Sequence, residues 1–251
     1  MAKSLVLPEI KITKQLDPSK YIQVPNALGF RSSFRGKQRV PVISRVQEFN
    51  GIDFDNTHKA IYQDSGGVLQ MSPPRIFIPH LINVSQAYYS NGEHKLHHSA
   101  GEALSDDEVK KLYKKIFTDS WIWLNASFKF RKEEGKLQSY LLTYYVGEDK
   151  EGNSELKSKE SKLEKCLMDD MNDVNLNLGN FTKQGLPKQQ KGLTQEDNLG
   201  KNICFYSPSN NSVARFLANS DRAGLYCDRN PSDSVDELGV FAYAEGVVKT
   251  N

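Results

Sequence analysis

A capped helix running directly into an aromatic hairpin is written into residues 105–145, and no other stretch limits the fold as tightly. Ser105 suits a helix N-cap, Glu108 completes a capping box, and Asp106 and Asp107 suit the positive end of the helix dipole. Val109, Leu112, Tyr113, Ile116 and Phe117 then recur at spacings of three and four, which places them on one helical face. Ala126–Phe130 and Leu137–Tyr145 are rich in aromatic and β-prone residues, and Glu134-Gly135 between them reads as the turn of a hairpin. Phe128, Phe130, Leu137 and Leu141 are expected to share one of its faces.

The remaining segments suggest strands with helices attached. The first fifty residues mix Pro8, Pro18, Pro25, Pro41, Gly29 and Gly36 with short apolar stretches, as an extended arm would, with a strand near 40–49. From Arg75 to Tyr89 the pattern predicts two strands interrupted by Pro79. Residues 147–162 read as a charged surface loop leading into a helix over 160–174, with Leu163, Leu167, Met171 and Val174 as its apolar stripe. A long polar loop over 179–202, a strand near Ile203–Tyr206, a short helix over 210–219 carrying Val213, Phe216 and Leu217, and a strand over Val240–Val248 complete the reading. Without a βαβ rhythm, this order predicts a mainly β, α+β chain with peripheral helices.

Charge is uneven along the chain. The net formal charge is +2, yet residues 1–50 carry nine Lys or Arg against Glu9, Asp17 and Glu48, which leaves the rest acidic. Residues 1–45 are therefore read as a basic arm making intersubunit contacts, and residues 46–251 as a single body. Such an arm suits nucleic acid or another copy of the same body. Cys166, Cys204 and Cys227 are odd in number and form no CxxC, which favours a reduced, intracellular protein. The apolar run Leu5–Leu7 is too short for a secretory segment, so the sequons at Asn83, Asn125, Asn180 and Asn210 are expected to stay unglycosylated. No stretch approaches the ~20 apolar residues of a membrane span.

Recognisable catalytic patterns are few. Dinucleotide and Walker-type phosphate loops, the Gly-x-Ser-x-Gly elbow and His-Glu-x-x-His are missing from the sequence. His94, His97 and His98 have no cysteine near them, and zinc needs ligands converging from two elements, so no metal is expected there. Trp121 and Trp123 face the same way on a strand, as core, interface or stacking residues. Asp53-Phe54-Asp55-Asn56-Thr57 resembles the DxDxT nucleophile loop of haloacid-dehalogenase-type phosphatases, with Asp169, Asp170 and Asp173 as a possible Mg²⁺ cluster. It follows no buried apolar strand, which such a loop requires.

One further run carries the most information about kinship. Val84–Ser99, VSQAYYSNGEHKLHHS, holds two adjacent tyrosines, an Asn-Gly pair and three histidines; alternation up to Tyr89 predicts a strand that reverses at Asn91-Gly92. The run from Val84-Ser85-Gln86 through Tyr88-Tyr89-Ser90-Asn91-Gly92 to His98-Ser99 resembles part of cypovirus polyhedrin, the occlusion-body matrix protein of insect cytoplasmic polyhedrosis viruses. Ala103–Glu108, Trp121, Phe128–Lys132, Gly135-Lys136, Ser139-Tyr140 and, last, Ala214-Arg215-Phe216 follow the same family in the same order. The resemblance covers about a quarter of the chain and the total length agrees, whereas residues 1–30 are too proline-broken for the long N-terminal helix of that family.

The resemblance implies an antiparallel β-sandwich with an N-terminal extension, no enzymatic activity and no required cofactor. It implies homotrimers packed into crystals in the host cytoplasm, which enclose virions and dissolve at alkaline pH in the insect midgut, with nucleotide bound in the lattice in known relatives. On this reading Tyr88, Tyr89, Tyr140, Tyr144 and Tyr145 are candidate alkaline triggers or contacts. His97, His98, Trp121, Trp123, Arg31, Arg35 and Arg39 are candidate interface residues. With every tyrosine ionised and every lysine neutral, above pKa values of ~10 and ~10.4 in that order, the formal charge falls to about −33. The alternatives are the phosphatase built on Asp53 and Asp55, and a nucleic-acid-binding protein using the basic arm.

Overall fold

The computed structural model describes residues 16–29, 33–34, 37–163, 172–175, 181–187 and 202–247. Thirteen strands and three α-helices occur there, in the order β1 (Tyr21–Gln23), β2 (Ser33–Phe34), β3 (Lys37–Ser44), α1 (Phe54–Ser65), β4 (Gln70–Met71), α2 (Pro74–Tyr89), α3 (Asp106–Thr118), β5 (Ser120–Glu133), β6 (Lys136–Glu148), β7 (Ser154–Lys162), β8 (Asn172–Asn175), β9 (Asn202–Tyr206), β10 (Val213–Ala218), β11 (Ala223–Arg229), β12 (Leu238–Gly239) and β13 (Ala242–Val247). The chain is mainly β with helices attached, the class its sequence predicts.

Strands β1-β3-β13-β4, with β2 paired to β3, make one sheet of five strands. The second has eight, in the order β7-β6-β5-β10-β11-β9-β8, with β12 paired to β5. Its centre is the long β5, whose neighbour changes along its length. Residues 120–127 pair with β10 and Ser127–Glu133 with β6, while Trp121 and Ile122 also receive β12 in parallel. Where β6 leaves β5, the Asn125 side chain takes over: its Oδ1 accepts from Tyr144 N at 2.6 Å and its Nδ2 donates to Tyr144 O at 2.7 Å.

Alternation along β5 divides the interior. Ile122, Leu124, Ala126 and Phe128 join the core beneath α2 and α3, where Phe216 meets Phe77 at 5.2 Å and Phe117 at 6.5 Å between ring centroids. Trp123 points the other way, into a smaller core with Phe54 of α1, 5.8 Å away and edge-on.

The local signals at 105–145 are borne out. Ser105 and Glu108 form the reciprocal capping box of α3. Glu134 and Gly135 turn at φ of 49° and 77°, the left-handed pair that a two-residue hairpin needs. Phe128 and Leu141 pair and are buried, while Leu137 at the far end of the same face is exposed.

Other expectations are corrected. Residues 74–89 are one helix, not two strands, and Pro79 lies inside it. A proline has no N–H for the carbonyl four residues back, and that carbonyl, on Arg75, accepts instead from Leu28 N at 2.9 Å. In place of a loop and a helix over 160–174, Ser154–Lys162 and Asn172–Asn175 are strands and Leu163 is a buried residue between them. Leu167 and Met171 lie outside the described residues. The helix expected over 210–219 is strand β10, hydrogen-bonded on both sides and buried at Val213 and Phe216. Within 1–45, β1 and β3 share a sheet with β13, and Ile22, Val24 and Ile43 are buried, so this part of the arm belongs to the body.

Candidate functional site

The tyrosines singled out by sequence meet a third that was read only as part of an apolar stripe. Tyr88 and Tyr89 close the last turn of α2 against α3, where the ring of Tyr88 stacks on Tyr113 at 3.8 Å and 8°. The Tyr89 and Tyr113 hydroxyls share a hydrogen bond of 2.9 Å. Tyr88 and Tyr89 remain 38% and 46% exposed, whereas Tyr113 is buried at 6%. Burial, and then the bond to Tyr89, push Tyr113 far above the usual phenol range. The cluster therefore combines two solvent-facing phenols with one that resists ionisation.

Beside it, a single carboxylate joins three elements. Glu108 Oε2 accepts from Ser105 N and Oγ, both at 2.9 Å, while Oε1 lies 3.0 Å from Arg45 Nη2 and 3.6 Å from His98 Nε2. The Ser105 bonds, backbone first, hold Glu108 at about 2, well below an ordinary carboxylate. His98 is half-buried next to Ile22 of β1, whereas His97 and His94 are exposed. Among the described residues no group of three His, Cys, Asp or Glu side chains could hold a metal ion.

The hairpin tyrosines face different surroundings. The Tyr140 hydroxyl donates to Glu133, and its ring lies 5.0 Å from the Arg131 guanidinium. Arg131 in turn grips Glu160 through two bonds of 2.8 and 2.6 Å. The bond to Glu133 raises the Tyr140 pKa. Tyr144 is half-buried, its hydroxyl 3.1 Å from Ser127 Oγ, and Tyr145 is 43% exposed. The structure does not bring these three to the Tyr88–Tyr89–Tyr113 cluster as one site.

Trp121 and Trp123 do share a face, and what covers them is Arg215, 5.2 and 6.0 Å from the two rings. Arg215 is only 6% exposed and its nearest anion, Asp233, stands 4.0 Å away. Burial lowers its pKa. Trp123 is core and Trp121 is half-buried. Arg31 and Arg35 lie outside the described residues, and Arg39 is placed only as a backbone position of β3.

The phosphatase-like segment is a helix start. Asp53 caps α1, its Oδ1 accepting from Asn56 N at 2.9 Å and its Oδ2 from Asn56 Nδ2 at 2.7 Å. Asp55 is exposed in the first turn, Asp173 lies on β8, and Asp169 and Asp170 are outside the described residues. Two sequons are committed to internal bonds: Asn83 pairs amide to amide with Asn26 at 2.8 and 3.0 Å, and Asn125 clips Tyr144.

Tyr113 and Arg215 are the residues that pattern reading passed over. Tyr113 was visible as a polar-tipped residue on an apolar stripe, a placement that asks for a hydroxyl partner. Arg215 was visible as a cation between apolar neighbours in Val213–Leu217.

No protein-family model, curated protein or solved structure matches the chain.

Proposed function

We propose that this chain is a viral occlusion-body matrix protein that assembles into intracellular crystals. These crystals enclose and protect virions and dissolve at alkaline pH. One observation carries the reading. The segments that resemble cypovirus polyhedrin are far apart in sequence but adjoin in the fold. Tyr88 of the first stacks on Tyr113, in the helix that the second opens. Ala214-Arg215-Phe216 pairs with Ile122–Leu124 of the strand that runs into the Phe128 hairpin, and Phe216 meets Phe117. Parts of the likeness that are remote in the chain thus meet in the fold, which supports the reading.

On this reading the partners are other copies of the chain, as trimers in a lattice, together with virus particles and bound nucleotide. The site is host cytoplasm, and the work is structural rather than enzymatic. No helix among the described residues is long and apolar enough to cross a membrane. A near-neutral net charge of +2 lowers repulsion between copies. Exposed Tyr88, Tyr89 and Tyr145 suit contacts that a lattice can lose on ionisation. The basic arm, with Arg31, Arg35 and Arg39, suits contacts to a neighbouring acidic body.

Expression in insect cells tests the proposal. Crystals visible in the cells, insoluble at neutral pH and dissolving above roughly pH 10, are expected. Soluble monomer under those conditions overturns it.

A further inference from the structure

Asn-Gly occurs twice in the chain, at Asn50-Gly51 and Asn91-Gly92, and the fold treats the two pairs in opposite ways. At the first, Gly51 N donates to Leu238 O at 3.0 Å and Asn50 Oδ1 accepts from Gln47 Nε2 at 3.1 Å. Asn50 Oδ1 is also packed so closely on Gly239 that a Cβ there would meet it at 2.1 Å. The second pair sits where α2 has ended. Ser90 N still bonds to Gln86 O at 3.0 Å, and bonding resumes with Glu93 N to Ser90 O at 3.2 Å and His94 N to Ser90 Oγ at 2.9 Å. Between those anchors Asn91 and Gly92 turn at φ of 50° and 91°; Asn91 and Asn50 are both exposed, so the pairs differ in bonding and not in access to water. Among the described residues, neither the Gly92 N–H nor the Asn91 amide makes a hydrogen bond. A Cβ on Gly92 would find nothing within 4 Å.

We propose that Asn91-Gly92 is a self-modification site, at which Asn91 converts to a mixture of aspartate and isoaspartate while Asn50 is protected by the fold. The Gly92 nitrogen gives up its proton and attacks Asn91 Cγ. A new N–Cγ bond closes a five-membered imide, and the Cγ–Nδ2 bond breaks. The side-chain nitrogen leaves as ammonia, carrying the proton that Gly92 lost. Water then adds at one of the two imide carbonyls, its hydroxyl to carbon and its hydrogen to nitrogen, and the ring opens. The sum is asparagine plus water giving the acid plus ammonia, with no oxidant and no catalyst. Glycine leaves the attacking nitrogen unhindered, and hydroxide speeds the step because the amide must lose its proton.

The product places a new carboxylate two residues beyond Tyr89, at the negative end of the α2 dipole where anions are disfavoured. The isoaspartate branch also lengthens the main chain in the link between α2 and the strand-like segment at His97. Neither effect depends on the occlusion-body reading.

The test is peptide mapping of dissolved full-length protein, held in mildly alkaline buffer and checked for native structure by circular dichroism. A second sample is held in urea. In the folded protein the Asn91 peptide is expected to gain one mass unit and isoaspartate roughly tenfold or more faster than the Asn50 peptide, the difference that loss of two ordinary hydrogen bonds represents. In urea the two rates converge, and Asn91→Gln abolishes the isoaspartate at that position. Equal rates in the folded protein, faster loss of Asn50, no conversion at Asn91, or a difference that persists in urea each overturn the proposal.

Discussion

Leu28 donates its backbone N–H to the carbonyl of Arg75 at 2.9 Å, filling the place that Pro79 leaves empty within α2. A proline in a helix interior ordinarily costs ~3 kcal/mol or more. Here the freed carbonyl is satisfied by the segment just after β1, so the proline ties the first part of the chain to the central helix. Pro79→Ala is expected to change stability by no more than about 1 kcal/mol in denaturant melts, far less than the interior-proline cost. In hydrogen exchange, the Leu28 amide should be protected like the strand amides beside it.

Alkaline unfolding should begin within the tyrosine range. Burial raises Tyr21 and Tyr243 from 10.0 to about 12. Their folded forms hold the proton longer than the unfolded chain does. Their contribution is therefore complete below pH 10 and is lost as pH climbs towards 12. For the fully buried Tyr243 it amounts to on the order of 3 kcal/mol. Tyr243→Phe should flatten the fall in melting temperature across that window, and absorbance titration should show one fewer late-ionising phenol.

Acid should act through two buried histidines. His58 and His80 are held down to about 3 by burial, and among the described residues neither ring nitrogen of His80 has a partner. The unfolded chain takes up these protons near 6.5 and the folded one only near 3. Stability is then full above 6.5 and drains away as pH falls through this interval. His80→Leu removes two unpaired nitrogens from between Phe77 and Phe241 and should raise stability at neutral pH by about 1 kcal/mol. It should also shift the acid unfolding midpoint downwards.

The capping box at α3 makes a smaller and separable contribution. Ser105→Ala should cost about 1 kcal/mol in thermal or denaturant melts. Glu108, held at about 2 by Ser105, contributes above its ordinary value of 4.5 and loses that contribution as pH falls towards 2. In a Ser105→Ala variant, NMR titration of Glu108 should show its pKa rising only part of the way to the ordinary value, because the larger, backbone N–H bond from residue 105 remains.

Where local chemistry dictated the backbone, the sequence was sufficient. Ser105 and Glu108 opened a helix, and Glu134-Gly135 turned a hairpin, because each motif satisfies its own backbone groups. It misled where burial erased the pattern. Twelve of the sixteen residues of α2 are buried, so the helix has no polar face to give its periodicity away, and Pro79 looked like a break. In β10, the three-and-four spacing of Val213, Phe216 and Leu217 imitated a helix. The strand is buried on both faces between β5 and β11 and needs no alternation. Strand β7 had the opposite fault: its side chains are charged and largely exposed, and only the backbone ladder to β6 defines it. The candidate site was half legible. Tyr88 and Tyr89 stood out, but the partner that organises them is on another helix, and no sequence spacing encodes that meeting.

Strand β13 lies inside the five-stranded sheet, between β3 and β4, and sets Tyr243 against Ile43. Strand β3 thus waits for a partner that follows it by 200 residues of synthesis. At ordinary elongation speeds that is a delay of roughly 10–40 s. During it β3 has no β13 to pair with, and the nascent chain cannot complete its fold. This ordering acts as a timer: the five-stranded sheet is finished only after every strand of the eight-stranded sheet has been synthesised.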